Sequence, residues 1–265
     1  MVSWGSLKSL ARKGVPVGRL VMPGIVLVIT VASWEFVTAQ KKLNPILVPP
    51  PSDVSQAFFE SFPLLMEQAY YTIRTTLVAL AIATAIGVLL GLLFGAVQRL
   101  RQALFPNVIF FELIPKIALA PLFIIWLGTG AELRIVFAVF LSFFPVLLST
   151  MTGLQAADPL AIRLCQSLRA SKMQTFVFVR LPYATPHIFS GIKVATTMAM
   201  IGVVVAEFLT GTTGLGYLIM FAATNLATSL MLAAVVFLCL AGMILFWSAE
   251  YLERLFARKY AVPNG

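Results

Sequence analysis

Charge is scarce in this chain. Asp, Glu, Lys and Arg make up 11% of its 265 residues, where a soluble globular domain carries about 25%. Apolar residues reach 60%, against about 45–50% in soluble domains. This balance excludes an ordinary soluble fold and points to a polytopic, all-α membrane protein. Histidine occurs once, at His187, and cysteine twice, at Cys165 and Cys239. Pro186-His187 opens an apolar run, which suits an interfacial or capping role for the histidine. One cysteine falls in a predicted loop and the other in a predicted span, so neither a disulfide nor a metal site is expected. No G-x-x-x-x-G-K-[ST] loop occurs, so the chain cannot bind and hydrolyse a nucleotide by that route. Metalloprotease and serine-histidine patterns are missing as well. No catalytic residue, metal or cofactor is expected, and energy for any work must come from a partner.

The charge present is lopsided, with 19 Lys and Arg against 10 Asp and Glu, a net charge of +9. In a soluble chain this would suggest nucleic acid. Here the basic residues gather at the ends of apolar runs, so topology explains them and no nucleic-acid partner is expected.

Six apolar runs are long enough to cross a bilayer: about Leu20–Val37, Thr72–Val97, Leu104–Leu127, Ile135–Met151, Ile188–Phe208 and Ala227–Trp247. The chain therefore divides into a tail at 1–19, a first span at 20–38, an external loop at 39–70, a core at 71–250 and a tail at 251–265. Pro23 and Gly24 are placed at the first turn of the first span, where proline is tolerated. The external loop holds Pro45, Pro49, Pro50 and Pro51, then Ser52-Asp53 as a helix start and the apolar Val54, Ala57, Phe58 and Phe62. It reads as an extended link followed by a surface helix. The predicted cytoplasmic flanks hold 13 Lys and Arg and the external segments only Lys41, Lys42 and Arg134. Both termini are thus expected in the cytoplasm.

Within the spans, Ala79, Ala83, Gly87, Gly91 and Gly95 recur every four residues and share a helix face that admits a close neighbour. Span three contains Pro106, Pro115 and Pro121, which remove backbone donors and favour a broken helix. Glu112 and Lys116 flank Pro115 one turn apart, either as an ion pair or lining a path. Glu207 closes span five, either fixing the next turn or lining an outer gate. The turn Gly211–Gly216 lacks the preceding strand and following lysine of a phosphate loop, and reads as glycine-permitted turning before a short re-entrant helix, Tyr217–Ala223.

The stretch Asp158–Pro186 is the only long basic segment between spans, carrying Arg163, Arg169, Lys172 and Arg180. Leu160, Leu164 and Leu168 line one face of a short helix, and a second helix is expected to be stopped by Leu181-Pro182. Here the chain resembles the membrane subunits of bacterial ABC importers, in the nitrate, sulfonate and taurine branch. That family's loop reads E-A-A-x3-G-x9-I-x-L-P. Counted back from Leu181-Pro182, Val179 takes the Ile position, Arg169 the Gly position, and Arg163, Leu164 and Cys165 the E-A-A positions. Gly to Arg169 matters because that position often needs positive φ, which costs a non-glycine residue roughly 1 kcal/mol. The resemblance continues through Ala170-Ser171, LPYATPHIFSGIKVA, VVVAEF, GTTGLGYLI and, upstream, PKIALAPLFIIWLGTG, covering most of Leu47–Arg254.

The resemblance implies a type I (MetI-like) permease fold with six transmembrane helices in the bacterial inner membrane. The loop at 154–185 would seat in an ATP-binding cassette ATPase through Leu160, Arg163, Leu164, Cys165, Leu168, Arg169, Ala170 and Ser171. Glu112, Pro115, Lys116 and Glu207 are the candidates for the translocation path. A second permease copy and a periplasmic or lipid-anchored solute-binding protein are the further implied partners. Relatives often carry Arg where Glu112 stands. The competing reading is an ion-coupled secondary transporter, for which Glu112 is one candidate acid but no convincing repeat is seen. A structural membrane protein would not need the basic loop.

Overall fold

The computed structural model describes residues 17–39, 44 and 46–257. Lys8, Arg12, Lys13, Lys41, Lys42, Pro45, Arg258 and Lys259 lie outside the described residues, and with them part of the orientation count. Every regular element among the described residues is a helix.

The first helix, α1, spans Val17–Ala39, so Pro23 falls inside it and not in its first turn as expected. The surface helix α2 spans Pro51–Glu60 with proline at its start. Glu35 of α1 accepts hydrogen bonds from the Ser52 N–H and hydroxyl, each at 3.0 Å. A carboxylate on a helix N-terminus satisfies free donors and complements the helix dipole. After Ser61 the long helix α3 covers Phe62–Ala96, starting well ahead of the predicted Thr72. Its small-residue face is buried as expected. A Cβ on Gly91 would stand 2.5 Å from Thr150 Cβ, and one on Gly87 2.7 Å from Val146 Cβ. Without a hydrophobic drive between helices in lipid, such close backbone approach supplies the packing.

Span three is broken. Helix α4 (Gln98–Leu113), a 3-10 turn (Lys116–Leu119) and helix α5 (Ala120–Leu127) replace one straight span. Its two halves bend by 78°. Pro106 rides inside α4 and Pro121 fits the first turn of α5, so Pro115 makes the break. Ile114 before it is held extended at ψ 133°, as a residue preceding proline prefers.

Helix α6, Ala131–Gly153, packs along α3 on one side and along α9 on the other. Helix α7 (Pro159–Ser167) and the short α8 (Lys172–Thr175) follow, then a wide π turn at Phe176–Arg180 and helix α9 at Leu181–Thr210. The expected stop at Leu181-Pro182 is corrected: the helical path runs unbroken over Lys172–Thr210, 39 residues. In a wide turn carbonyls pair with the fifth residue on, so the carbonyl that Pro182 cannot serve has another donor. Helix α10, Leu215–Thr224, is the short helix expected near Tyr217, and α11, Thr228–Ala257, ends the described chain. Lys193 of α9 and Glu253 of α11 pair at 2.5 Å.

Among the described residues, four helices are long and apolar enough to cross a membrane, and the bent pair makes five. Helix α1, which covers the expected first span, adds the shorter apolar stretch Gly24–Thr38 among the described residues. Several buried clusters form the core, and one of them, Ala79, Ala138 and Val203, lies where α3, α6 and α9 meet.

Candidate functional site

Three groups of polar or exposed residues stand out against this apolar frame. The first is α7 and the turn after it. Asp158 caps the helix, its carboxylate accepting from the Leu160 N–H at 2.8 Å, and Pro159 occupies the first helical position. The helix closes as a Schellman motif in which the Ala170 N–H donates to the Cys165 carbonyl at 2.9 Å. The left-handed residue this motif needs is Arg169, at φ 56°. A reciprocal capping box then starts α8: the Gln174 N–H donates to Ser171 Oγ at 3.1 Å and the Ser171 N–H to Gln174 Oε1 at 2.7 Å. With both ends fixed, Leu160, Leu164 and Leu168 project outward, 69%, 60% and 72% exposed. Arg163 and Arg169 are exposed as well, while Cys165 and Ala170 are half-buried.

The second group sits at the broken span. Lys116 forms an ion pair with Glu112 across the Pro115 break, and its ammonium lies 4.7 Å from the Phe144 ring centroid. Pro115 sets the geometry: by ending α4 it brings the first residue of the 3-10 turn back over the last turn of that helix.

The third group centres on Glu207, which is completely buried. Its carboxylate oxygens lie 2.9 and 3.0 Å from Thr72 Oγ1 and accept from the Gly216 N–H at 2.8 Å. Thr72 Oγ1 in turn accepts from the Leu215 N–H, and Gln68 Oε1 from the Gly214 N–H, both at 2.8 Å. The opening donors of α10 are therefore met by side chains from α3 and α9. Gly214 has φ 106°, and a Cβ there would fall 2.0 Å from Glu207 Oε1, so only glycine fits. Arg134, at the start of α6, donates to the hydroxyls of Thr212 and Thr213, the latter at 2.9 Å. This buried guanidinium clasps the same turn from the other side.

Of the predicted loop residues, Leu160, Arg163, Leu164, Leu168, Arg169 and Ser171 are exposed while Cys165 and Ala170 are half-buried, and Glu112, Pro115 and Lys116 share the break. Glu207 stands apart from both, inside the turn that precedes α10. Gln68, Thr72 and Arg134 were not singled out from sequence. A signal existed: Gln68, Thr72 and Thr76 are spaced by four and extend the small-residue face of α3 toward its start.

A helical bundle of this form, apolar outside and carrying an exposed amphipathic helix between two of its spans, is an integral-membrane protein. The chain belongs to the family described as binding-protein-dependent transport system inner membrane component, whose model matches residues 83–258. It is 28% identical over 249 residues to the taurine transport system permease protein of Escherichia coli strain K12, covering 90% of each chain. It is 30% identical over 236 residues to the riboflavin transport system permease protein of Chloroflexus aurantiacus, covering 88% of each. Among solved structures, the inward-facing MetNI methionine ABC transporter matches with a TM-score of 0.63 at 19% identity, over 74% of this chain and 97% of that one. The fold is thus that of the MetI-like permeases. The chain is a multi-pass permease subunit of an ABC importer, which displaces the ion-coupled transporter reading.

Proposed function

We propose that this subunit forms half of a translocation path for a small solute handed over by an external binding protein, with a second copy forming the other half. Helix α7 is the contact to a separate ATPase, on the cytoplasmic side with both termini. The observation that carries this reading is the stripe Leu160, Leu164 and Leu168. These are three leucines on one face of a helix capped at both ends, exposed and covered by nothing among the described residues. Buried apolar anchors supply affinity while rim charges steer and specify. The leucines therefore fill the ATPase groove, and Arg163 and Arg169 meet acids at its rim.

Glu112 and Lys116 beside Pro115 help set which solute passes. Of the two roles open to Glu207, its full burial and its hydrogen bonds from Thr72 and Gly216 favour fixing the turn before α10. Relatives of comparable identity are named for taurine and for riboflavin, so the substrate class assigned here is a small organic molecule or anion of the taurine, sulfonate or nitrate type, selected largely by the binding protein.

The test is Leu164→Asp. The variant is expected to insert normally, to lose the ATPase on co-purification and to abolish substrate-stimulated hydrolysis. Retention of both ATPase binding and stimulated hydrolysis would show that the loop only enforces topology.

A further inference from the structure

A cavity of about 710 Å³ opens behind α7, on the side away from the leucine stripe. Ile162 and Gln166 line it from α7, Lys172 and Arg180 from the segment before α9, and Ala96 from the end of α3. On a helix of 100° per residue, positions 162 and 166 point roughly opposite to 160, 164 and 168. An ATPase seated on the leucines therefore leaves this cavity facing the bundle.

Its level is set by Ala96, the last residue of a 35-residue apolar helix, after which Arg99 and Arg101 follow. This is where the chain leaves hydrocarbon. Its charge is uncompensated among the described residues. The only acid in 154–185 is Asp158, which caps α7, and neither Lys172 nor Arg180 has an ion-pair partner among the described residues. The same nine-residue stretch exposes Met173 and Phe178, 69% and 75%. Basic groups beside exposed apolar ones mark an element lying in a membrane interface, and basic pockets between spans at that level take anionic headgroups.

We infer that this cavity is a binding site for an anionic phospholipid of the inner leaflet, with the headgroup phosphate held by Lys172 and Arg180 and the acyl chains lying along Met173 and Phe178. The lipid would brace α7 from behind while the ATPase engages it from the front. The inference rests on the cytoplasmic orientation of the 154–185 loop proposed above.

The experiment uses the subunit with its ATPase in nanodiscs of equal parts phosphatidylglycerol and phosphatidylcholine, read by native mass spectrometry after delipidation. The wild type is expected to retain phosphatidylglycerol preferentially. The double variant Lys172→Gln, Arg180→Gln should lose roughly fivefold for each charge, about 25-fold in all, whereas Arg254→Gln, at a pair on α11, should not. If the double variant fails to fold, Lys172→Gln alone, at an exposed position, should show about a fivefold loss. Equal retention in all variants would overturn the inference. So would displacement of the lipid by millimolar inorganic phosphate, or loss of the ATPase with lipid retention unchanged, which would assign the cavity to a protein partner. Labelling of Cys165 in intact cells by a membrane-impermeant maleimide would overturn the orientation and the inference together. Lost lipid contrast with Cys165 protected overturns the inference alone.

Discussion

Replacing Glu207 by alanine removes the acceptor for two buried donors, the Gly216 N–H and the Thr72 hydroxyl. Each orphaned buried donor costs about 1–3 kcal/mol. The Thr72 hydroxyl can turn to the Gln68 carbonyl, 3.3 Å away, so its share falls at the low end, and the sum is about 2–4 kcal/mol. Glu207→Gln keeps the shape. Its carbonyl can still accept from Gly216, and its amide can donate to Thr72 Oγ1 once that hydroxyl rotates toward Gln68, so the loss should stay near 1 kcal/mol. The two variants, unfolded in mixed micelles by SDS titration, should therefore separate by about 1–3 kcal/mol. Limited proteolysis should cut the glutamine form slowly and the alanine form rapidly at Gly211–Gly216. The reasoning is refuted if alanine is tolerated within about 0.5 kcal/mol, or if glutamine is as damaging as alanine. The latter would mean that the negative charge, and not the hydrogen-bond geometry, holds the turn.

Other consequences can be measured directly. Arg169→Gly should stabilise the end of α7 by up to about 1 kcal/mol, since φ 56° burdens only side chains with a Cβ. Slower hydrogen exchange at Ala170 would report it. Arg163→Glu should insert and fold normally but change which ATPase subunit is retained on co-purification. Gly91→Val should destabilise the α3–α6 contact by about 1–3 kcal/mol or more, because Thr150 leaves no room for a Cβ, and the loss should appear as a lower melting temperature in detergent. Exchanging Glu112 for Gln and Lys116 for Met together should alter transport rate or substrate preference while leaving the yield of assembled complex unchanged.

What could be read from sequence was local. The four-residue spacing of Ala79 to Gly95 defines a face whichever partner covers it, and the loop helix follows from Leu160, Leu164 and Leu168 plus a basic setting. The glycines at 211 and 214 announce a turn wherever it falls. The hidden parts join distant segments. Glu207 and Thr72 are 135 residues apart, and a threonine in an apolar span usually satisfies itself on its own helix. Nothing in its neighbours shows that it serves another. The start of α3 at Phe62 is hidden because Glu67 and Gln68 read as part of a polar loop until Gly214 is brought to Gln68. Leu181-Pro182 misleads for a different reason, since a proline stops a helix only when the turn before it is a regular α turn.

That wide turn has a mechanical consequence. A 39-residue helical path at about 1.5 Å per residue is roughly 58 Å long, nearly twice the ~30 Å hydrocarbon core of a bilayer. Lys172, at one end, adjoins the platform of exposed leucines, and Thr210, at the other, adjoins the turn clasped by Glu207 and Arg134. The path has no intervening loop, and the points where it can bend are the wide turn at Phe176–Arg180 and the prolines Pro182 and Pro186. One continuous piece of backbone joins the leucine platform to the Gly211 turn, so a tilt at the Lys172 end reaches that turn only as far as the wide turn and the two prolines hold their angle.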